Sequence, residues 1–152
     1  MTSTARIIEV YTEVINNRMG HDSQVHGDRI EFQPVEGLTC VITTYENDPE
    51  YLHLWTMLSG IEPTLPQDTM NSICIATTHK TKSVKSIVDS DGDLVFSVEM
   101  LVAAPDCLPT VEHLQGVLPR SVTMLLAGIR HTVTDLQFAQ ITAHETHGSS
   151  DT

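Results

Sequence analysis

The sequence predicts an α+β domain with a single five-stranded antiparallel sheet, a three-stranded meander plus a hairpin, packed by helices in the order α-β-β-β-α-β-β-α. Three observations predict it. Two alternating apolar runs between Val84 and Val102 flank the turn Ser90-Asp91-Gly92-Asp93, and Asp-Gly between alternating strands is a strong hairpin signal because Gly supplies the positive φ of a tight turn. Three strand-like runs between Val25 and Leu58 are joined by short polar turns, which favours antiparallel neighbours. Apolar residues at helical spacing precede these runs, follow them and close the chain.

From Thr4 to Met19, Ile7, Ile8, Tyr11, Val14, Ile15 and Met19 mark an amphipathic helix, with Gly20 as the left-handed residue that ends it. Strand-like alternation then covers Val25 to Pro34, and after the turn Pro34-Val35-Glu36-Gly37 a β-branched run covers Leu38 to Tyr45. Tyr51 to Leu58 sets Leu52, Leu54 and Leu58 against Tyr51, His53, Trp55 and Met57. Both faces are apolar, so this strand is central or is covered on its second side. Trp55 is either a core or stacking residue or part of an exposed aromatic patch of the kind that meets partner chains.

Ser59-Gly60-Ile61-Glu62-Pro63-Thr64 links to a second helix opened by Pro66, whose stripe Met70, Ile73, Cys74 and Thr77 should lie on the sheet while Ile75 points nearly opposite. On the last strand Leu94, Phe96, Val98, Met100 and Val102 share one face, and Val95 and Leu101 the other. The longest stripe runs Val111, Leu114, Leu118, Val122, Leu125, Ile129, Val133 and Leu136, interrupted by Pro119. A proline inside a helix costs ~3 kcal/mol. The expectation is a short helix ending near Gly116, or a kink, with the main helix over about 119–140. Met124, His131 and Phe138 form a thinner line on its opposite side. The domain is expected over 1–141, with 142–152 a disordered polar tail.

Composition narrows the partners. At 152 residues, with 20 acids against 8 bases and a formal net charge of -12, the chain suits one domain and is a poor match for nucleic acid or an anionic membrane, both of which reward clustered Lys and Arg. Lys80, Lys82 and Lys85 form the one basic cluster, read as solvated charge or an anion site. Cys40, Cys74 and Cys107 are odd in number and far apart, without C-x-x-C spacing. They read as packing residues of a reducing compartment, and the expected location is cytoplasmic.

No motif declares a chemistry. His21 and His26 lack a third ligand at recognisable spacing. In His144-Glu145-Thr146-His147 the second histidine falls at i+3, not the i+4 of a zinc-protease helix. Asp89, Asp91 and Asp93 resemble the opening of a calcium loop, but its glycine comes at the fourth position and Met100 occupies the twelfth. The expectation is no catalytic residue, no cofactor and no metal.

The order helix, meander, helix, hairpin, long helix over Thr4 to Gln140 is most family-like at Tyr51-Leu52-His53-Leu54, in the Pro66-opened helix leading to Lys82, and at Val88-Asp89-Ser90-Asp91-Gly92-Asp93-Leu94. In these the chain resembles the YbjN family, bacterial proteins labelled sensory transduction regulators, whose fold is similar to that of class I type III secretion chaperones. The Asn usual late in that family's second helix is Thr77 or Thr78 here. The resemblance implies a small, soluble, often dimeric, non-enzymatic adaptor or chaperone-like protein, pairing through its second helix and hairpin strands. The expected function is therefore the binding of a partner polypeptide in a regulatory role, by a homodimer, with Trp55, Ile75, Val95, Leu101, Met124, His131 and Phe138 as candidate partner or dimer surface. The alternatives are a small-molecule-sensing module with a pocket between sheet and long helix, or an enzyme of unrecognised type.

Overall fold

Ile7, Tyr11, Val14 and Ile15 line one side of the first helix and are almost completely buried. The computed structural model, which describes residues 3–60 and 65–148, divides them between α1 (Ser3–Glu13) and a π-helical turn, Val14–Arg18. The wider turn lets the neighbours Val14 and Ile15 both face the core. It closes with Met19 N–H on the Val14 carbonyl at 2.9 Å and His21 N–H on the Ile15 carbonyl at 3.0 Å. Between them Gly20 sits at φ 75, the left-handed stop expected of it.

The run Val25 to Pro34 is not one strand. β1 (Ser23–His26) and β2 (Arg29–Val35) form a hairpin across Gly27-Asp28, with His26 opposite Arg29. Gly27, at φ 63, takes the first turn position, where a type II′ turn needs positive φ. This strand raises the expected five to six. Pro34, which has no N–H for the ladder, lies in a register shift between Phe32 and Val35 where β2 pairs with β3 (Leu38–Thr43). β4 (Tyr51–Leu58) follows, then α2 (Gln67–Lys80), β5 (Val84–Val88) and β6 (Leu94–Leu101). Part of the connection expected between β4 and α2, residues 61–64, lies outside the described residues. The sheet is antiparallel throughout, in the order β1-β2-β3-β4-β6-β5. The β5–β6 turn is held by Asp89, whose Oδ1 accepts the N–H groups of Asp91 and Asp93, both at 2.9 Å, so this acid organises a turn.

One sheet face is the core. Ile30, Phe32, Cys40, Ile42, Leu52, Leu54, Leu94, Phe96 and Val98 pack there with residues of all three helices. On α2, Met70, Cys74 and Thr77 are buried, as the stripe predicts. The Thr77 hydroxyl meets that of Thr132 at 2.6 Å in the buried seam between α2 and the last helix. Cys40 and Cys74 are buried and free, whereas Cys107, expected to pack, is exposed.

The last helix, α3, runs unbroken from Val111 to Gly148, 38 residues with Pro119 inside it. This corrects both the break expected near Gly116 and the end expected near Gln140. Pro119 leaves the Gln115 carbonyl without its intrahelical donor, but Gln115 is exposed and water can serve. Leu114, Leu118, Val122 and Leu125 hold the two sides of the proline on the sheet. At the far end Ala139 and Ala143 still pack against the core, and so residues 142–148, expected as disordered tail, extend the helix. Residues 149–152 lie outside the described residues. Among the described residues, no helix is long and apolar enough to cross a membrane.

Candidate functional site

Because side chains alternate along strands, the face turned away from the helices is fixed by register. Val41 stands opposite Trp55, and Thr43 opposite His53. Across the next ladder Tyr51 meets Leu101, His53 meets Glu99, Trp55 meets Ser97 and Met57 meets Val95. Lys85 and Ile87 of β5 complete the face beside Ser97 and Val95. Met57, Ile87 and Leu101 are 43%, 56% and 71% exposed.

Trp55 is half-buried at the centre. Its indole N–H donates to Thr43 Oγ1 at 2.9 Å, and the Arg29 guanidinium lies 5.9 Å from its ring centre. Those contacts satisfy its polar end and leave the ring as part of an apolar floor. A shallow cleft of about 350 Å³ opens there, lined by His53, Trp55, Lys85, Ile87, Val95, Ser97 and Glu99.

Beside the floor stands a polar cluster. The Tyr45 hydroxyl is 2.7 Å from His53 Nδ1, and the two rings stack with 6.0 Å between centres. His53 Nε2 is 3.8 Å from Glu99, whose other oxygen accepts from Lys85 Nζ. The Lys85 hydrogen bond is the main influence holding the Glu99 carboxyl below its usual range, with the Tyr51 hydroxyl also lowering it and partial burial opposing them. Burial, then the bond to Glu99, pushes the Tyr51 phenol up to about 12. Burial raises Tyr45 similarly, with Glu99 adding to it. Burial also lowers His53, reinforced by Lys85 and opposed by Glu99. At neutral pH the cluster therefore holds neutral phenols, a neutral imidazole and an ionised carboxylate clamped by a lysine. Tyr45 and Nδ1 then share a hydrogen bond whose donor follows the ring tautomer, and Nε2 faces Glu99. Chemically this is a hydrogen-bonding rim around an aromatic and aliphatic floor.

Of the expected surface residues, Trp55, Val95 and Leu101 are brought together on this face. Ile75 is 58% exposed on the outside of α2, in the helical layer on the other side of the sheet. Met124 is half-buried, while His131 and Phe138 are exposed along α3. The structure thus does not join the seven into one surface. The sequence sets Tyr51 and His53 on the face of Trp55 and counts Lys85 in its basic cluster without joining them to a site, and it does not single out Tyr45, Ile87 or Glu99. Strand alternation alone places His53 beside Trp55, but its meeting with Glu99 requires knowing that β4 borders β6. The lysine cluster is divided, with Lys80 4.0 Å from Asp135 and Lys85 on Glu99. Among the described residues no group of three or more His, Cys, Asp or Glu could hold a metal ion. Between sheet and α3, where a ligand pocket was the alternative expectation, Leu114, Leu118 and Leu125 are fully buried in the core.

No protein-family model matches the chain, and no curated protein matches it in sequence.

Proposed function

We propose that the protein is a non-enzymatic, chaperone-like or adaptor protein that holds a partner polypeptide on the helix-free face of its sheet. One observation carries the reading. Trp55, Met57, Ile87 and Val95 adjoin on that face, with Leu101 exposed beyond the His53–Glu99 pair, and no helix covers them among the described residues. Solvent-facing sheets ordinarily alternate apolar-in with polar-out, so an apolar outer face marks a surface that meets something. Large rings with a satisfied polar end, such as Trp55, are enriched where proteins meet.

Membership of the YbjN family belongs to this proposal. The element order from α1 to α3 supports it, and the additional strand β1 departs from the expected pattern. Affinity capture of the tagged chain from its own cells tests the function. A retained protein should be lost with Leu101→Glu and kept with Ile75→Glu. Equal retention by both variants would place the partner elsewhere. The cleft beside Trp55 favours a second reading, a small-molecule-sensing regulatory module. Its mark would be a small molecule carried through purification and seen by native mass spectrometry.

A further inference from the structure

We propose that the outer edge of β1 binds an extended, basic peptide as an added strand of the sheet. This goes beyond the reading of the helix-free face and is independent of what covers that face.

The sheet has two outer strands, β1 and β5, and their edges differ. On β5 the Ser86 N–H donates to Thr78 Oγ1 of α2 at 3.1 Å, so a helix lies against that edge. On β1 the Ser23 N–H donates to Asn16 Oδ1 at 3.0 Å, which shows that it points off the ladder. Backbone direction alternates along a strand, so the N–H and C=O of Val25 point the same way, together with the Ser23 carbonyl. Among the described residues no protein group meets these, and Gln24, Val25 and His26 are exposed. The edge is also held in place. Thr44 donates both its N–H and its hydroxyl to the Asp28 carbonyl at 2.8 Å, fixing the β1–β2 turn, while Asn16 fixes the other end. A preorganised edge gives up little freedom when a strand adds to it, and the main-chain bonds supply the contact.

Charge names the occupant. Asp22 and Asp28 flank β1 and are exposed, and Glu31 stands opposite Gln24. A cleft of about 340 Å³ at this edge is lined by Asp22, Gln24, Glu31, Phe32, Gln33 and Thr39. Among the described residues no lysine or arginine lines it. Arg29, on the same strand as Glu31, lies over Trp55 instead, and the ion contact of Glu31 is with His26 at 3.8 Å. Gln33 Nε2 donates to Thr39 Oγ1 at 3.4 Å, which leaves the Gln33 carbonyl oxygen as an acceptor. A lining rich in acceptors and short of positive charge suits a guanidinium or an ammonium. A second copy is a poor occupant, because pairing two β1 edges brings Asp22, Asp28 and Glu31 of both chains together. Alternation gives the peptide its pattern. An apolar residue falls beside Val25, on the face of Ile30, and the basic residues flanking it turn to the face of Gln24 and Glu31.

The test uses the full chain and a capped synthetic peptide, Thr-Arg-Val-Arg-Val-Arg-Thr, with a counterpart carrying Glu in place of each Arg. Amide hydrogen exchange followed by NMR reads the site. Saturating arginine peptide should slow exchange of the Val25 N–H by about tenfold or more, and the glutamate peptide should not bind. Val25→Pro removes the outward donor while sparing the ladder, and should weaken the arginine peptide roughly tenfold with unchanged far-UV circular dichroism. The double variant Asp22→Asn, Glu31→Gln should weaken it by a similar factor, and it decides the matter should the proline disturb the hairpin. Absence of binding at millimolar peptide overturns the proposal. So does binding that leaves Val25 unprotected or survives both variants, since the peptide then meets the acidic surface at large. Equal binding of the glutamate peptide overturns the basic occupant. Val25 protection that grows with protein concentration in the absence of peptide overturns it in favour of a second copy.

Discussion

At Gly128 the backbone of α3 comes so close to β5 that an added Cβ would lie 2.7 Å from Val84 Cγ1. Val84 is buried and β-branched, so it cannot swing aside cheaply. Two effects compete in Gly128→Ala. Helix propensity favours alanine by ~1 kcal/mol, and overpacking costs about 1–3 kcal/mol. The clash should win, lowering stability by about 1 kcal/mol in urea titration. Gly116, in the same helix with nothing within 4 Å, provides the control. Gly116→Ala should be stabilising by up to ~1 kcal/mol. His53 gives a residue-scale dependence on pH. Burial holds it below its ordinary value of 6.5, so the unfolded chain binds the proton more readily. Its contribution is fully present above pH 6.5 and is lost as pH falls through the folded-state value. Glu99, held below 4.5 first by Lys85, adds a loss of the same sign at lower pH. The urea midpoint of the wild type should fall between about pH 7 and pH 5.5, and that of His53→Gln should fall less.

At the scale of elements, Pro119 is the informative residue. If it opened a helix, replacing it would change little, because the first helical position has no intrahelical N–H bond to make. It lies inside α3, so Pro119→Ala restores a hydrogen bond and removes a clash. Thermal or urea unfolding should show a gain of about 1–3 kcal/mol. The same helix shows what the sequence could and could not convey. The stripe Leu114, Leu118, Val122, Leu125, Leu136 was legible because burial follows the 3.6 period. Continuity through Pro119 was not, because it depends on the exposure of Gln115 and on packing either side of it. Likewise the β5–β6 hairpin was legible from Asp-Gly, whereas β1 was hidden because Gly27-Asp28 interrupts an otherwise plausible alternation. Half of the candidate face was readable from the period of two, which sets Trp55 with Tyr51, His53 and Met57. The other half was not, since Glu99 and Leu101 join it through a strand order that crosses α2.

Taken whole, the molecule is acidic, with a formal net charge of -12, so a basic partner held on an acidic patch should loosen as ionic strength rises from about 20 to 300 mM, as sedimentation can measure. The adjacency of β4 and β6 bears equally on the route to the native state. β1 to β4 pair with their sequence neighbours, as do β5 and β6, and such local contacts form early. The β4–β6 ladder, from Leu58 with Leu94 to Tyr51 with Leu101, must close a loop that contains all of α2 and β5. Its entropy has to be met before any of that ladder's contacts reward it. The barrier to folding should then lie at this closure. In stopped-flow measurements Val98→Ala, opposite Leu54, should slow refolding, while Gly27→Ala in the outer hairpin should chiefly speed unfolding.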